Sequence, residues 1–148
     1  MTQQNFTASI ELDTSPMVVF KTITDDVSKW WGGPDLHGES RKLNDEFIIH
    51  HPDAHFSKQK VIELIPGKKV VWLVTESRLG WLEKDKAEWT GTKMIFEISA
   101  KEDKTILHFT HEGLVPGKGS YERCSQGWNM VIKERLFNYI TTGKSFYI

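Results

Sequence analysis

The order of its segments constrains this chain more than any single motif does. A strand and two short helices come first, then a run of strands joined by tight turns, then one amphipathic helix. Phe6 to Leu12 alternates apolar and polar residues, the period of a half-buried strand. The period changes at Asp13-Thr14-Ser15-Pro16, where Ser15 is placed to cap a helix and Pro16 to open its first turn. Val19, Phe20 and Ile23 share one face of that helix. Asp25 or Asp26 is placed to cap a second short helix carrying Val27, Trp30 and Trp31, which Gly32-Gly33-Pro34 ends.

From Leu43 onward the period is two again, with Leu43, Phe47 and Ile49 on one face. A turn at Pro52-Asp53-Ala54 leads to a strand through Ile65. Ile65-Pro66-Gly67-Lys68 then has proline and glycine where a type II turn needs them. Lys69 to Val74, with Trp72 inside it, is the most apolar strand and reads as covered on both faces. Arg78 to Gly91, with Trp81 and Trp89, has no clear period and reads as a long loop or an irregular edge hairpin. Alternation resumes at Thr92–Ile98, where Met94, Phe96 and Ile98 share a face, and again at Thr105–His111. Ser120 is the expected cap of the last helix and Gly143 its stop. Cys124, Trp128, Val131, Ile132, Leu136, Tyr139 and Ile140 form its apolar stripe. An antiparallel sheet with one apolar face must cover it, and only this helix has a stripe large enough. The fold class expected is therefore α+β, a curved antiparallel sheet of about six to seven strands wrapped around a long C-terminal helix.

The 148 residues suit one domain, 1–148, with a core that needs no staples. Lys and Arg number 19 against 20 Asp and Glu, which leaves no basic excess for nucleic acid or anionic membrane. Charges alternate in sign, as in Glu83-Lys84-Asp85-Lys86, the habit of a solvated surface. Cys124 is the only cysteine, so no disulfide framework is expected and a reducing cytoplasm is the natural setting. Met1 to Asn5 lacks the basic and apolar regions of a signal peptide, and no apolar run approaches the roughly 20 residues of a membrane span.

Several of these segments together resemble the START-like (SRPBCC) superfamily, in the branch named for the activator of heat shock protein 90 ATPase. The residues that carry the resemblance are Ser15-Pro16, Trp30-Trp31-Gly32, Glu46-Phe47, Val61 to Pro66, Thr105-x-Leu107-x-Phe109-Thr110-His111 and Gly127-Trp128. It extends over nearly the whole chain and implies the helix-grip (Bet v 1-like) fold. The superfamily includes lipid carriers, hormone receptors, allergens, cyclases and co-chaperone domains, so the fold alone does not choose among functions. These residues leave no room for the separate N-terminal domain of the eukaryotic co-chaperones, so the resemblance implies the fold more than chaperone activation.

Six Trp and eight Phe are many for this length, and each can serve core or pocket. The leading expectation is a binding module without catalytic residues, holding a small hydrophobic or amphipathic ligand between sheet and last helix. Its expected ligand-binding residues are Trp31, Phe47, Trp72, Met94, Phe96, Phe109, His111, Trp128 and Ile132, roofed by the Trp30-Trp31 helix. Parity leaves Trp72 open to either face. Two other roles stay in play: a protein-interaction domain with a chaperone partner, and a cyclase- or hydrolase-like enzyme using His111 with Glu112 or Glu122. His50-His51-Pro52-Asp53-Ala54-His55 is the densest group of metal-capable side chains, but consecutive strand residues face opposite ways, and the segment reads as a solvated turn. No metal and no cofactor are expected, and the chain is expected to be a monomer or homodimer. Gly127 is expected to let the last helix approach the sheet closely.

Overall fold

The computed structural model describes residues 4–52, 54–82, 86–117 and 119–147. The signal-peptide reading of Met1 to Asn5, the middle of the turn at Asp53 and most of the charge run at Glu83-Lys84-Asp85 rest on residues outside these. Strand β1 (Phe6–Leu12) precedes helices α1 (Pro16–Asp25) and α2 (Val27–Trp30). Six strands follow: β2 (Leu36–Gly38), β3 (Glu46–His51), β4 (His55–Ile65), β5 (Lys69–Leu79), β6 (Lys93–Lys101) and β7 (Lys104–Glu112). The C-terminal helix is α-helical over Tyr121–Asn129 (α3), π-wound over Met130–Leu136 and α-helical again over Phe137–Thr142 (α4).

All seven strands form one antiparallel sheet in the order β1-β7-β6-β5-β4-β3-β2. Neighbours in the sheet are neighbours in sequence, except that β1 pairs with β7, setting Phe6 opposite His111. Phe6, Ala8, Ile10 and Leu12 of β1 are buried and the residues between them exposed, as the alternation requires. The C-terminal helix packs along β1 and against α2. This is the curved sheet and gripped helix that the segment order predicts.

The punctuation reads largely as expected. Ser15 Oγ accepts from the Val18 N–H at 3.3 Å, with Pro16 in the first turn. Lys68 N–H donates to the Ile65 carbonyl at 2.9 Å across a turn in which Gly67 has φ +73°. Gly143 (φ +76°) closes the last helix by donating to the Tyr139 carbonyl.

Four local readings are corrected. Leu43 is exposed (53%) because the chain turns before β3: Asn44 takes φ +72°, and the Asp45 carboxylate accepts from the Arg41 and Lys42 N–H groups. Ser120 does not cap the last helix. Its hydroxyl and N–H both donate to the Glu88 carboxylate, tying the helix start to the loop before β6. Asp26 makes no side-chain cap on α2; its carboxylate accepts instead from the Tyr139 hydroxyl at 3.2 Å. Gly127 does not serve close approach, since a Cβ built there would meet no atom within 4 Å.

Candidate functional site

Aromatic side chains from the sheet, α2 and the last helix meet in one continuous cluster with two different ends. At the inner end, Trp72 is fully buried on the concave face. The indoles of Trp30 and Trp31 lie nearly parallel to it, at 6.2 and 6.1 Å between centroids. Phe47 and Phe96 meet it edge-on at 4.9 and 4.7 Å. Phe96 continues to Phe109 (5.0 Å), and Phe109 to Trp128 (4.6 Å). Trp30 also donates its indole N–H to the Thr22 carbonyl at 3.2 Å. Offset and edge-on contacts of this kind are how large rings fill space without voids. The expected roof over a cavity is thus a plug: Trp30 fills the space beneath α2.

The outer end is open. A hollow of about 220 Å³ lies between β4, the loop before β6 and the last helix. Trp31, Trp81, Trp89 and Trp128 line it, together with His55, Cys124, Gly127, Met130, Val131 and two arginines, Arg123 and Arg135. Trp89 and Trp128 stand parallel, 6.0 Å apart at 9°, and Trp31 leans on Trp128 at 5.0 Å. Gly127 is exposed at the rim, where its missing side chain leaves the hollow its width.

The wall behind Trp128 is held by a directed chain of hydrogen bonds. An indole N–H can only donate, so Trp128 Nε1 donates to His111 Nδ1 at 2.9 Å. That fixes the proton of the neutral imidazole on Nε2, which donates to Thr92 Oγ1 at 2.8 Å. The Thr92 hydroxyl then donates to the Trp89 carbonyl at 2.6 Å. His111 is fully buried, and Trp89 and Trp128 both stand edge-on to its ring. It therefore locks two indoles of the hollow in place from behind. Both of its ring nitrogens are thus engaged by Trp128 and Thr92.

Two further groups at the hollow, His55 and Cys124, are held neutral. Burial lowers the His55 pKa to about 4, with the neighbouring His51 adding to the shift. His55 Nε2 bonds the Ser57 hydroxyl at 2.8 Å, and the Gln59 amide donates to the same oxygen. Burial pushes the Cys124 thiol up to about 11, well away from a nucleophilic thiolate. Beside this hollow, His50, His51 and His55 border a second, polar depression of about 400 Å³. His51 and His55 are cross-strand partners, but His51 Nδ1 pairs with the Asp35 carboxylate at 3.1 Å. Among the described residues no three His, Cys, Asp or Glu side chains converge as a metal site needs.

Of the nine residues expected at a ligand site, Trp31 and Trp128 line the hollow. His111 stands one layer behind. Phe47, Trp72, Met94, Phe96, Phe109 and Ile132 are at most 1% exposed and lie in the closed interior. The sequence reading did not include Trp81, Trp89, His55, Arg123 or Arg135. The two tryptophans lie in the segment without periodicity, and His55 lies where the sequence reads as a turn. The cue available was composition: two tryptophans in a stretch otherwise unsuited to a core.

A helix gripped by a seven-stranded antiparallel sheet, with an aromatic hollow beside the helix, defines a START-like domain. Residues 13–141 match the family described as activator of Hsp90 ATPase homolog 1-like protein, and the chain belongs to that family. Membership supports a ligand-binding or regulator-like domain. No curated protein matches the sequence. Among solved structures, the chain is similar to the Aha1 dimer of Colwellia psychrerythraea, solved in solution, with a TM-score of 0.74 and 22% identity, covering 96% of this chain and 99% of that one. Protein BH1534 of Bacillus halodurans gives 0.68 at 15% identity, covering 95% and 99%. DynU16, from the dynemicin biosynthetic locus, gives 0.68 at 16%, covering 96% of this chain and 49% of DynU16. At these identities the likeness is one of fold. No helix among the described residues is long and apolar enough to cross a membrane.

Proposed function

We propose that the chain is a binding domain that holds a small apolar or amphipathic molecule in the hollow between the sheet end and the last helix. The observation that carries this reading is the four-tryptophan lining around open space at Gly127. Pockets of this kind are mostly apolar with a few fixed polar groups, and this one is smaller than the roughly 300–1,000 Å³ usual for drug-sized ligands. Its occupant is therefore small. A catalytic role finds no support in the surroundings: His111 has both ring nitrogens engaged behind the wall, and the Cys124 thiol is protonated at neutral pH.

The chaperone-regulator role would call for a broad apolar surface. Among the described residues the exposed large apolar side chains are Met17 and Val18 on α1, Leu43 and Ile65 in turns, and Met130 and Phe146 near the last helix. Met130 and Phe146 line one depression beneath the C-terminal tail, whereas the others lie on α1 and in turns, and exposure of this kind is ordinary. The test is Nile red, a neutral apolar dye, with Gly127→Leu as the blocking variant. Leucine has room there and favours helix over glycine, so a loss of binding would not be unfolding. The wild type should bind the dye with enhanced fluorescence, and the variant should not. Equal dye binding by the two would overturn the reading.

A further inference from the structure

The ionic character of the hollow is one-sided. Its lining includes two arginines and no carboxylate. Among the described residues neither arginine forms an ion pair: Arg123 lies over the Trp81 ring at 4.7 Å, and Arg135 has only neutral polar partners. Arg135 donates to the Tyr147 hydroxyl at 2.9 Å and to Met130 Sδ at 3.3 Å, and its Nε is buried with no partner. Its guanidinium also covers the Phe146 ring at 3.9 Å. The nearby carboxylates are otherwise placed. Glu88 accepts from Ser120, and Glu134 lines the depression beneath the C-terminal tail, which Met130 and Arg135 border as well, without forming an ion pair with Arg135 among the described residues. His55 and Cys124 add no charge at neutral pH.

A half-buried guanidinium without a counter-charge is costly, and guanidinium forks suit carboxylates in two-point contact. The π-wound stretch contributes directly. It brings Met130 and Arg135, five residues apart, together on one face of the helix, and both line the hollow. The walls add a fixed aromatic border, because Trp89 and Trp128 are buried parallel to each other and Trp31 leans on Trp128.

We propose that the hollow selects a small planar aromatic anion, a one- or two-ring aromatic carboxylate whose ring lies against Trp31 and Trp128 and whose carboxylate meets Arg123 and Arg135. This rests on the binding-domain reading and adds the chemical class of its ligand. Ring contact favours any flat apolar molecule, so the arginines are what separate the acid from its neutral analogue.

The experiment compares 2-naphthoate with 2-naphthamide by calorimetry and by quenching of tryptophan fluorescence, on the full chain, with Nile red binding measured in parallel. The acid should bind roughly tenfold or more tightly than the amide, the gain expected when hydrogen bonds to a charged group replace neutral ones. Arg123→Gln, at an exposed position where folding is not at risk, should cut that preference several-fold, and Arg135→Gln should do the same. Equal affinity for acid and amide, or a preference that neither arginine variant changes, would overturn the anion assignment. Nile red binding blocked by Gly127→Leu would then still support the binding domain. Absence of binding by naphthoate, naphthamide and Nile red alike would overturn both.

Discussion

The two ends of the aromatic cluster use the same residue types to opposite effect. Around Trp72, flanking rings come from β3, β6 and the α2 region, and the indole is entirely closed in. Around Trp128, itself buried, the neighbours are Trp31, Phe109 and His111 of β7 and Trp89 of the loop before β6, and the hollow opens beside it at Gly127. Regular secondary structure on all sides supplies rings at fixed spacing that interlock. A loop wall and a glycine do not close the gap. The indole N–H groups do not follow that division: among the described residues those of Trp72 and Trp89 have no hydrogen-bond partner, whereas Trp30 donates to the Thr22 carbonyl and Trp128 to His111. The inner end contributes stability, and the outer end keeps space.

The largest effect should come from the closed end. Trp72→Ala removes a fully enclosed indole and should cost about 3–5 kcal/mol in urea unfolding. A loss below about 1 kcal/mol would place the open space beside Trp72 instead. Trp128→Phe keeps a ring but withdraws the donor from His111 Nδ1, and should cost about 1–3 kcal/mol, with His111→Phe in the same background adding less than it does alone. Full additivity of the two would break the directed chain.

A smaller effect depends on pH. The His55 pKa of about 4 lies below its ordinary value of 6.5, so the ring is neutral in both states at high pH and its contribution is complete there. As pH falls below about 6.5 the unfolded chain takes up a proton that the folded chain refuses, so stability falls until about pH 4 and then levels. For a half-buried ring the loss should be at most about 2 kcal/mol. His55→Gln should flatten the wild-type slope in denaturant midpoints measured from pH 7.5 to 4.5, and an unchanged slope would show that the ring takes up its proton as readily folded as unfolded. The smallest effect belongs to the rim: Trp81→Ala should change stability by less than about 1 kcal/mol while weakening Nile red binding. A core-sized loss would make the rim part of the closed end.

What the sequence disclosed follows the same division. Strands β1 and β6, the cap at Ser15, the turn at Pro66-Gly67 and the stop at Gly143 each have a local cause, and each reads from a few adjacent residues. Trp72 was ambiguous because the register of β4 against β5 shifts twice, between Lys58 and Gln59 and between Val61 and Glu63, and counting parity across those shifts fails. The short strand β2 exists because Gly38 (φ +117°) lies against the Glu46 and Phe47 backbone, a contact set by tertiary packing. Trp89 reaches the hollow from an aperiodic loop held by Glu88 and Ser120, residues 32 apart in sequence. The π-wound stretch keeps Val131, Ile132 and Leu136 buried, so the apolar stripe reads as helix without revealing the change in winding.

The pairing of β1 with β7 also bears on how the molecule assembles. The other adjacent strands are consecutive in sequence, so those pairings close over short separations, whereas Phe6 must find His111 across most of the chain. Closing a loop of that length carries an entropic cost that grows with its logarithm, and contacts of such separation slow folding. Until β1 docks, β7 is an unpaired sheet edge, and the last helix lacks the strand along which it packs. The N-terminal strand thus acts as the closing clasp of the sheet, and cutting the chain between β1 and α1 would loosen the wall that carries His111.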